Sequence, residues 1–225
     1  MGLEAEWITF DCFGTLIDWD SGIRSFFRTL PGVQGEAIDL LLTDWEELQF
    51  SLINGPYLKY RNVMHLSLQQ TMAKYGVVLS AATLNEFVES LPAWQPFPDV
   101  HPTLRRLQEC GFKLGIISNI DEDLLERTIK TLAIRLDLVM TAERCRAYKP
   151  SVRPFESALE QMGCTPSSVA HVAFGDRYDL GPARQCGMQT VYVNRQGKTA
   201  SVRPDLEVAS LAELPALIRR PRIGN

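Results

Sequence analysis

The run Trp7-Ile8-Thr9-Phe10, followed directly by Asp11-Cys12-Phe13-Gly14-Thr15, reads as a short buried strand that ends on an aspartate. The next apolar strand candidate, Lys113 to Ile117, lies far downstream, and from there the chain alternates. A helix over Glu122 to Leu132 precedes a strand at Leu136 to Thr141. A helix over Pro154 to Met162 precedes a strand at Val169 to Phe174. A helix over Leu180 to Cys186 precedes a strand at Thr190 to Val193. This alternation predicts an α/β fold with a parallel sheet covered on both faces.

Residues 17–96 break the rhythm. Leu40, Leu41, Trp45, Leu48 and Leu52 recur at helical spacing, as do Leu66, Leu68, Met72 and Tyr75, and then Leu84, Phe87 and Leu91. Asn54-Gly55-Pro56 separates the first two helices. The segment reads as a helical cap inserted over the sheet edge, with Trp94-Gln95-Pro96-Phe97-Pro98 as the return hinge. The expected division is a core of residues 1–16 and 97–225 and a cap of 17–96. The basic tail Arg219-Arg220-Pro221-Arg222 reads as a solvated, frayed end.

Composition narrows the class. Of 225 residues, 45% are hydrophobic and 22% charged, as in an ordinary globular enzyme. A net charge of -4 argues against a nucleic-acid partner, and no apolar run is long enough to span a bilayer. The first residues, MGLEAEWITF, lack a secretory pattern, and Glu6 sits where myristoylation wants Ser or Thr. Five scattered cysteines suit reduced thiols, so a cytoplasmic location is expected. His65, His101 and His171 are isolated, which gives a zinc site little support.

In open α/β sheets, ligands bind beyond the carboxyl ends of the strands. The polar residues there are Asp11, Ser118-Asn119 and Gly175-Asp176, with Lys149 in a loop before a helix and Asp179 at the start of another. Singly each is ordinary: a strand-end Asp is often a turn former, and Asp179 suits a helix N-cap. Together they converge on one edge. Gly197-Lys198-Thr199 mimics a phosphate loop, but Tyr192 stands where that motif needs its first glycine.

These residues resemble the four motifs of the haloacid dehalogenase superfamily. Asp11 to Trp19 is similar to the first, Ser118-Asn119 to the second, Lys149-Pro150 to the third, and Gly175-Asp176 with Asp179 to the acidic fourth. The resemblance spans nearly the whole chain and implies a Rossmann-like core with a helical cap. It implies that Asp11 attacks the substrate to form an ester that water then hydrolyses. Thr15 would orient Asp11, Ser118 and Asn119 would donate hydrogen bonds to substrate, and Lys149 would neutralise the clustered acids. Asp179 would position water or, with Asp176, hold a metal.

Phe13 bears on the reaction type. Phosphatases of the superfamily carry a second aspartate there to protonate the leaving alkoxide, and Phe13 can neither give nor take a proton. A halide leaves without one. The pattern therefore resembles the 2-haloacid dehalogenases, which act by displacement at carbon on a small 2-substituted carboxylic acid and require no cofactor. The resemblance leaves the halide cradle open: Thr43-Asp44-Trp45-Glu46-Glu47 offers acids, and the nearest cations are Lys59 and Arg61. Phe155 stands where those enzymes tend to have tyrosine. The expected substrate-binding set is Phe13, Trp19, Tyr57, Arg61 and Trp94, with Trp45 and Tyr60 as further candidates for an apolar pocket. Asp11 to Trp19 and Trp94 to Asp99 also resemble azetidine-2-carboxylate hydrolases, which open a strained ring. So do Ser118 to Asp121 and Tyr148 to Pro150. A Mg²⁺-dependent phosphatase is the alternative, with Asp11, the Phe13 carbonyl, Asp176 and Asp179 as ligands. A homodimer through the cap helices is expected only by resemblance.

Overall fold

In the computed structural model, residues 2–33, 35 and 37–221 are described. The strands in chain order are β1 (Leu3–Glu4), β2 (Trp7–Phe10), β3 (Lys113–Ser118), β4 (Leu138–Thr141), β5 (Val169–Ala173), β6 (Gln189–Val193), β7 (Leu206–Val208) and β8 (Ile218–Arg219). Six of them form one sheet in the order β4-β3-β2-β5-β6-β7, and every pairing is parallel. β2 and β5 are buried along their whole length, and β3 everywhere but Lys113. That is the expected state of strands covered on both faces. The chain runs from β2 outward through β3 to β4, then crosses back to β5 on the other side of β2. The direction reverses at β2, so its carboxyl end is the crevice where ligands bind in such sheets. Asp11 stands at that point, its backbone N–H donating to Val172 O at 3.0 Å.

The helices are α1 (Trp19–Phe27), α2 (Ala37–Ile53), α3 (Tyr60–Lys74), α4 (Ala81–Ser90), α5 (Val100–Glu109), α6 (Glu122–Ile129), α7 (Ala142–Cys145), α8 (Arg153–Met162), α9 (Gly181–Gln185) and α10 (Leu214–Leu217). The first four follow one another with no strand between them. The Asp18 carboxylate caps α1 through Ser21 N, and the Ser80 hydroxyl caps α4 through Thr83 N. Phe27, Trp45 and Phe87 pack edge-on and tilted at 5.8 to 6.2 Å and weld α1, α2 and α4 together. The chain enters and leaves this helical segment side by side. Ile17 bridges Pro96, Asp18 N donates to Gln95 O at 2.8 Å, and Phe97 N donates to Leu16 O at 3.0 Å.

Some elements lie outside the periodicity argument. α1 and α5 were not expected, nor was β7, which extends the sheet at its far edge. The tail is not frayed at Arg219: Ile218–Arg219 pairs with Leu3–Glu4, with Ile218 buried and Leu3 partly buried against the core. Arg222 lies outside the described residues. All five cysteines are free thiols, and among the described residues no helix is long and apolar enough to cross a membrane.

Candidate active site

The turn after β2 sets the first side chain. Leu16 N and Ile17 N both donate to Cys12 O, and Gly14 N donates to Ile17 O, so the backbone curls tightly under Asp11. Gly14 has φ +98, and a Cβ there would meet the Phe174 ring at 2.4 Å; only glycine fits. The turn brings Thr15 back toward Asp11. Thr15 Oγ1 donates to Asp11 Oδ2 at 2.9 Å and accepts from Phe174 N at 3.0 Å.

The other Asp11 oxygen belongs to Lys149. This lysine is 1% exposed, and its ammonium has three acceptors for three N–H groups: Asp11 Oδ1 at 2.8 Å, Asp179 Oδ1 at 2.6 Å and Ile117 O at 2.9 Å. A buried charge is tolerated only when paired and hydrogen-bonded in this way. Burial alone would push the lysine toward neutrality, but the two carboxylates outweigh it and hold it charged. Asp179 is buried too, yet Lys149 and His171 keep its pKa below the usual carboxylate range. Asp11 goes the other way: burial, reinforced by the Asp179 charge, raises it against the pull of Lys149 and Thr15.

Asn119 has a different post from the one expected of it. It clamps the backbone of Lys149, its Nδ2 donating to Lys149 O and its Oδ1 accepting from Lys149 N, each at 2.8 Å. Its amide is engaged in placing the lysine. Ser118 ends β3, nearly buried, and faces the cavity described next. Asp179 is no N-cap. It sits inside a single π-helical turn, Asp176–Leu180, ahead of α9, and its side chain is directed at Lys149 and His171.

Over this floor lies a cavity of about 550 Å³, lined below by Asp11, Ser118, Lys149 and Asp179. Phe13, Trp19 and Trp94 make an aromatic wall. Phe13 meets Trp94 edge-on at 6.0 Å, and Trp19 leans on Phe174 at 6.4 Å. The inward face of α2 contributes Trp45, Glu46 and Gln49, and Gln49 donates to Tyr60 Oη at 3.1 Å. Burial pushes the Glu46 carboxyl up, with Lys198 pulling the other way.

Tyr57 and Arg61 do not reach the cavity, which corrects two expected contacts. Tyr57 stacks on Tyr148 at 5.5 Å beneath the Arg146 guanidinium. Arg61 is drawn to the β3–α6 loop: its Nε donates to Asp121 Oδ2 at 3.0 Å and its Nη2 pairs with Asp123. Asp121 is fully buried and also accepts from Tyr60 N and Arg61 N, capping α3 from across the structure. Lys59 pairs with Glu143. The cations on the cavity wall, besides Lys149, are Arg24, Arg177 and Lys198. Arg24 is held by Asp20 and Asp39, and Arg177 by Glu47.

The metal expectation does not fit these residues. Asp176 faces the cavity, but its two carboxylate oxygens accept from Ser201 N at 2.6 Å and Val202 N at 3.3 Å. Asp179 Oδ1 is taken by Lys149 and His171. Among the described residues, the one group of three or more acids, histidines or cysteines with ligand atoms all within 4.8 Å of one another is Asp121, Asp123 and Glu143, and Arg61 and Lys59 already pair with them. Asp11, Asp176 and Asp179 form no such group, so no magnesium-dependent step is derived from them.

His171, Glu46 and Arg24 escaped the sequence argument. The signal for His171 was a lone imidazole in an otherwise apolar strand, in register with Thr9 on β2. Arg24 sits on the helix that periodicity did not find.

Comparison with known proteins agrees with this geometry. Residues 44–193 match the family described as haloacid dehalogenase-like hydrolase. An (S)-2-haloacid dehalogenase of Pseudomonas sp. (strain YL) is 29% identical over 215 residues, covering 91% of this chain and 90% of that protein. The crystal structure of a dehalogenase superposes with a TM-score of 0.86 at 25% identity, over 97% of this chain and 98% of that one. The L-2-haloacid dehalogenase of Xanthobacter autotrophicus, with chloropropionic acid covalently bound, has the same fold, with a TM-score of 0.83 at 22% identity over 95% and 98%.

Proposed function

The chain belongs to the haloacid dehalogenase-like hydrolases, and on that premise we propose that it displaces a leaving group from C2 of a small 2-haloacid through an ester on Asp11. One observation carries the reading. A buried aspartate, each oxygen held by a separate donor, faces a cavity with an aromatic wall and with Phe13 where a proton donor would otherwise stand.

A carboxylate is a poor nucleophile in water and a better one when held and partly desolvated. Asp11 oxygen attacks C2, the C2–halogen bond breaks, and the halide leaves with the electron pair. No proton is needed. For a phosphate ester, a missing general acid costs roughly 10²- to 10⁴-fold, and the acids do not assemble a metal site. Water then attacks Cγ of the Asp11 ester and gives its proton to Asp179. The bond between Cγ and the alkyl oxygen breaks, the alkoxide takes the proton back from Asp179 to leave as a 2-hydroxy acid, and Asp11, released as the acid, gives its proton to solvent. Ser118 and the amides of the turn after β2 face the oxyanion. Asn119 acts through the Lys149 backbone. Residues 17–96 are read as the cap that covers this site, joined to the core where Ile17 bridges Pro96.

Glu46 favours a second reading on the same nucleophile. An acid in the cavity wall, pushed up by burial, suits a leaving amine that must be protonated, as in the opening of a strained ring.

The test is halide release from (S)-2-chloropropionate, with and without excess EDTA, by wild type and Asp11→Asn. Release that survives EDTA and vanishes in Asp11→Asn supports the reading. Near-wild-type turnover by Asp11→Asn sinks the covalent mechanism.

A further inference from the structure

Thr9 and His171 are register partners on β2 and β5, the two central strands, and both are fully buried. The rest of β5 is Val169, Ala170, Val172 and Ala173, and the ring meets Phe155 edge-on at 5.1 Å. An imidazole in such surroundings is costly unless both nitrogens are satisfied, and here they are. Nε2 lies 3.0 Å from Asp179 Oδ1, and Nδ1 lies 2.9 Å from Thr9 Oγ1. An ionised carboxylate only accepts, so Nε2 donates to Asp179 Oδ1, and Nδ1 and the Thr9 hydroxyl share the hydrogen bond on the other side of the ring. The line continues through Lys149 to Asp11.

What this achieves is a choice between the two oxygens of Asp179. Oδ1 receives both Lys149 and His171. Oδ2 receives no protein donor among the described residues and lies against Gly175, where a Cβ would approach to 2.8 Å. With Lys149 alone, the carboxylate could turn over and present either oxygen, because the ammonium also serves Asp11. The second donor, fixed in the sheet, removes that freedom. Asp179 itself rests on a lone π-turn, which supplies little rigidity of its own.

We propose that Thr9 and His171 form a positioning pair for the hydrolytic half of the reaction, holding Asp179 so that Oδ2 accepts the proton of the water attacking the Asp11 ester. This rests on the covalent reading above. The pair touches neither substrate nor the reacting carbon, so the displacement step should not need it.

The experiment compares wild type, His171→Leu, His171→Gln and Thr9→Val with (S)-2-chloropropionate, by rapid-quench halide release and intact-protein mass. In His171→Leu, one equivalent of halide should appear at nearly the wild-type rate. Turnover should then fall about 10²-fold, the scale of a small misplacement of a reacting group, with the ester accumulating as added mass. Gln, whose amide can donate in place of Nε2, should restore most of the turnover. Thr9→Val should lengthen the ester lifetime about tenfold and serves where His171→Leu fails to fold. If turnover falls with no ester accumulation, or if both steps slow equally, His171 is merely structural and the proposal fails. Absence of halide release by wild type overturns the haloacid displacement and this proposal together. Normal wild-type turnover with an unchanged ester lifetime in every variant overturns this proposal alone.

Discussion

Replacing Lys149 with methionine tests the electrostatic logic of the site most directly. The stem and its packing survive, but the ammonium that separates two carboxylates is gone. Asp11 Oδ1 and Asp179 Oδ1 lie 2.8 and 2.6 Å from that nitrogen, so they are at most about 5.4 Å apart. At an effective dielectric constant of about 20, two unit charges at that separation repel by roughly 3 kcal/mol. That energy corresponds to about two pH units on whichever carboxylate protonates first. The acid limb of the pH–rate profile for halide release should therefore move up by about two pH units in Lys149→Met, with the rate at pH 7 reduced at least tenfold. Stability carries the same sign. Asp179 is held below its ordinary value in wild type, so its contribution is present above the unfolded value and lost as pH falls through the folded one. In Lys149→Met the carboxylates are raised instead, and protonation relieves them. The gap in melting temperature between the two proteins should thus be widest near pH 8 and shrink toward pH 4. An unmoved acid limb and a pH-independent gap would refute the account and leave Lys149 a packing residue.

Asp176→Asn should lower the melting temperature by a few degrees through the loop at Ser201, with halide release within about twofold of wild type and indifferent to EDTA; activity that collapses and returns with added Mg²⁺ would restore the metal reading. Arg61→Ala should leave the KM for the haloacid unchanged and cost about 1 kcal/mol in thermal unfolding, since the side chain is partly exposed and faces Asp121 and Asp123, not the cavity. A KM raised tenfold would return Arg61 to the substrate. Asp99 is partly buried, which would raise it, but the paired contact of Arg195 and the Ser210 hydroxyl hold it below the ordinary 3.8. Its stabilisation is therefore present above about pH 4 and lost as pH falls through the lower folded value, so Asp99→Asn should be less stable than wild type at pH 7, with the deficit shrinking as pH falls below about 4.

The sheet and the residues that end its strands were legible because they rest on short-range rules. An apolar run with a polar residue at its carboxyl end points to the crevice whatever the rest of the chain does, and Asp11 and Ser118 were singled out that way; Lys149, in a loop before a helix, was singled out by its place in the motif pattern. Residues whose place depends on a partner far along the chain were not. Arg61 looked like a pocket cation because it is a cation near the pocket in sequence. The buried Asp121, sixty residues on, claims it. Asp176 looked like a ligand until its oxygens met the amides of Ser201 and Val202. α1 went unseen although Trp19, Ile23, Phe26 and Phe27 keep helical spacing, because it is only nine residues long and holds Gly22 in its middle, where the Trp94 ring leaves no room for a Cβ.

The same distinction explains why the nucleophile was easier to read than the leaving group. The floor is built from backbone geometry: a tight turn, two strand ends and a lysine whose three protons have three fixed acceptors. Nothing in that arrangement discriminates between a halide and a ring nitrogen, because both leave from the face of C2 opposite Asp11. Discrimination must come from the opposite wall, where α2 presents Trp45, Glu46 and Gln49. There the cations Arg24 and Arg177 are already bound to Asp20, Asp39 and Glu47. A departing halide needs hydrogen-bond donors or a cation, and a departing amine needs an acid. On that wall Gln49 and the Tyr60 hydroxyl are the donors and Glu46 is the acid, raised by burial, so the two substrate classes differ in which of these groups they would meet.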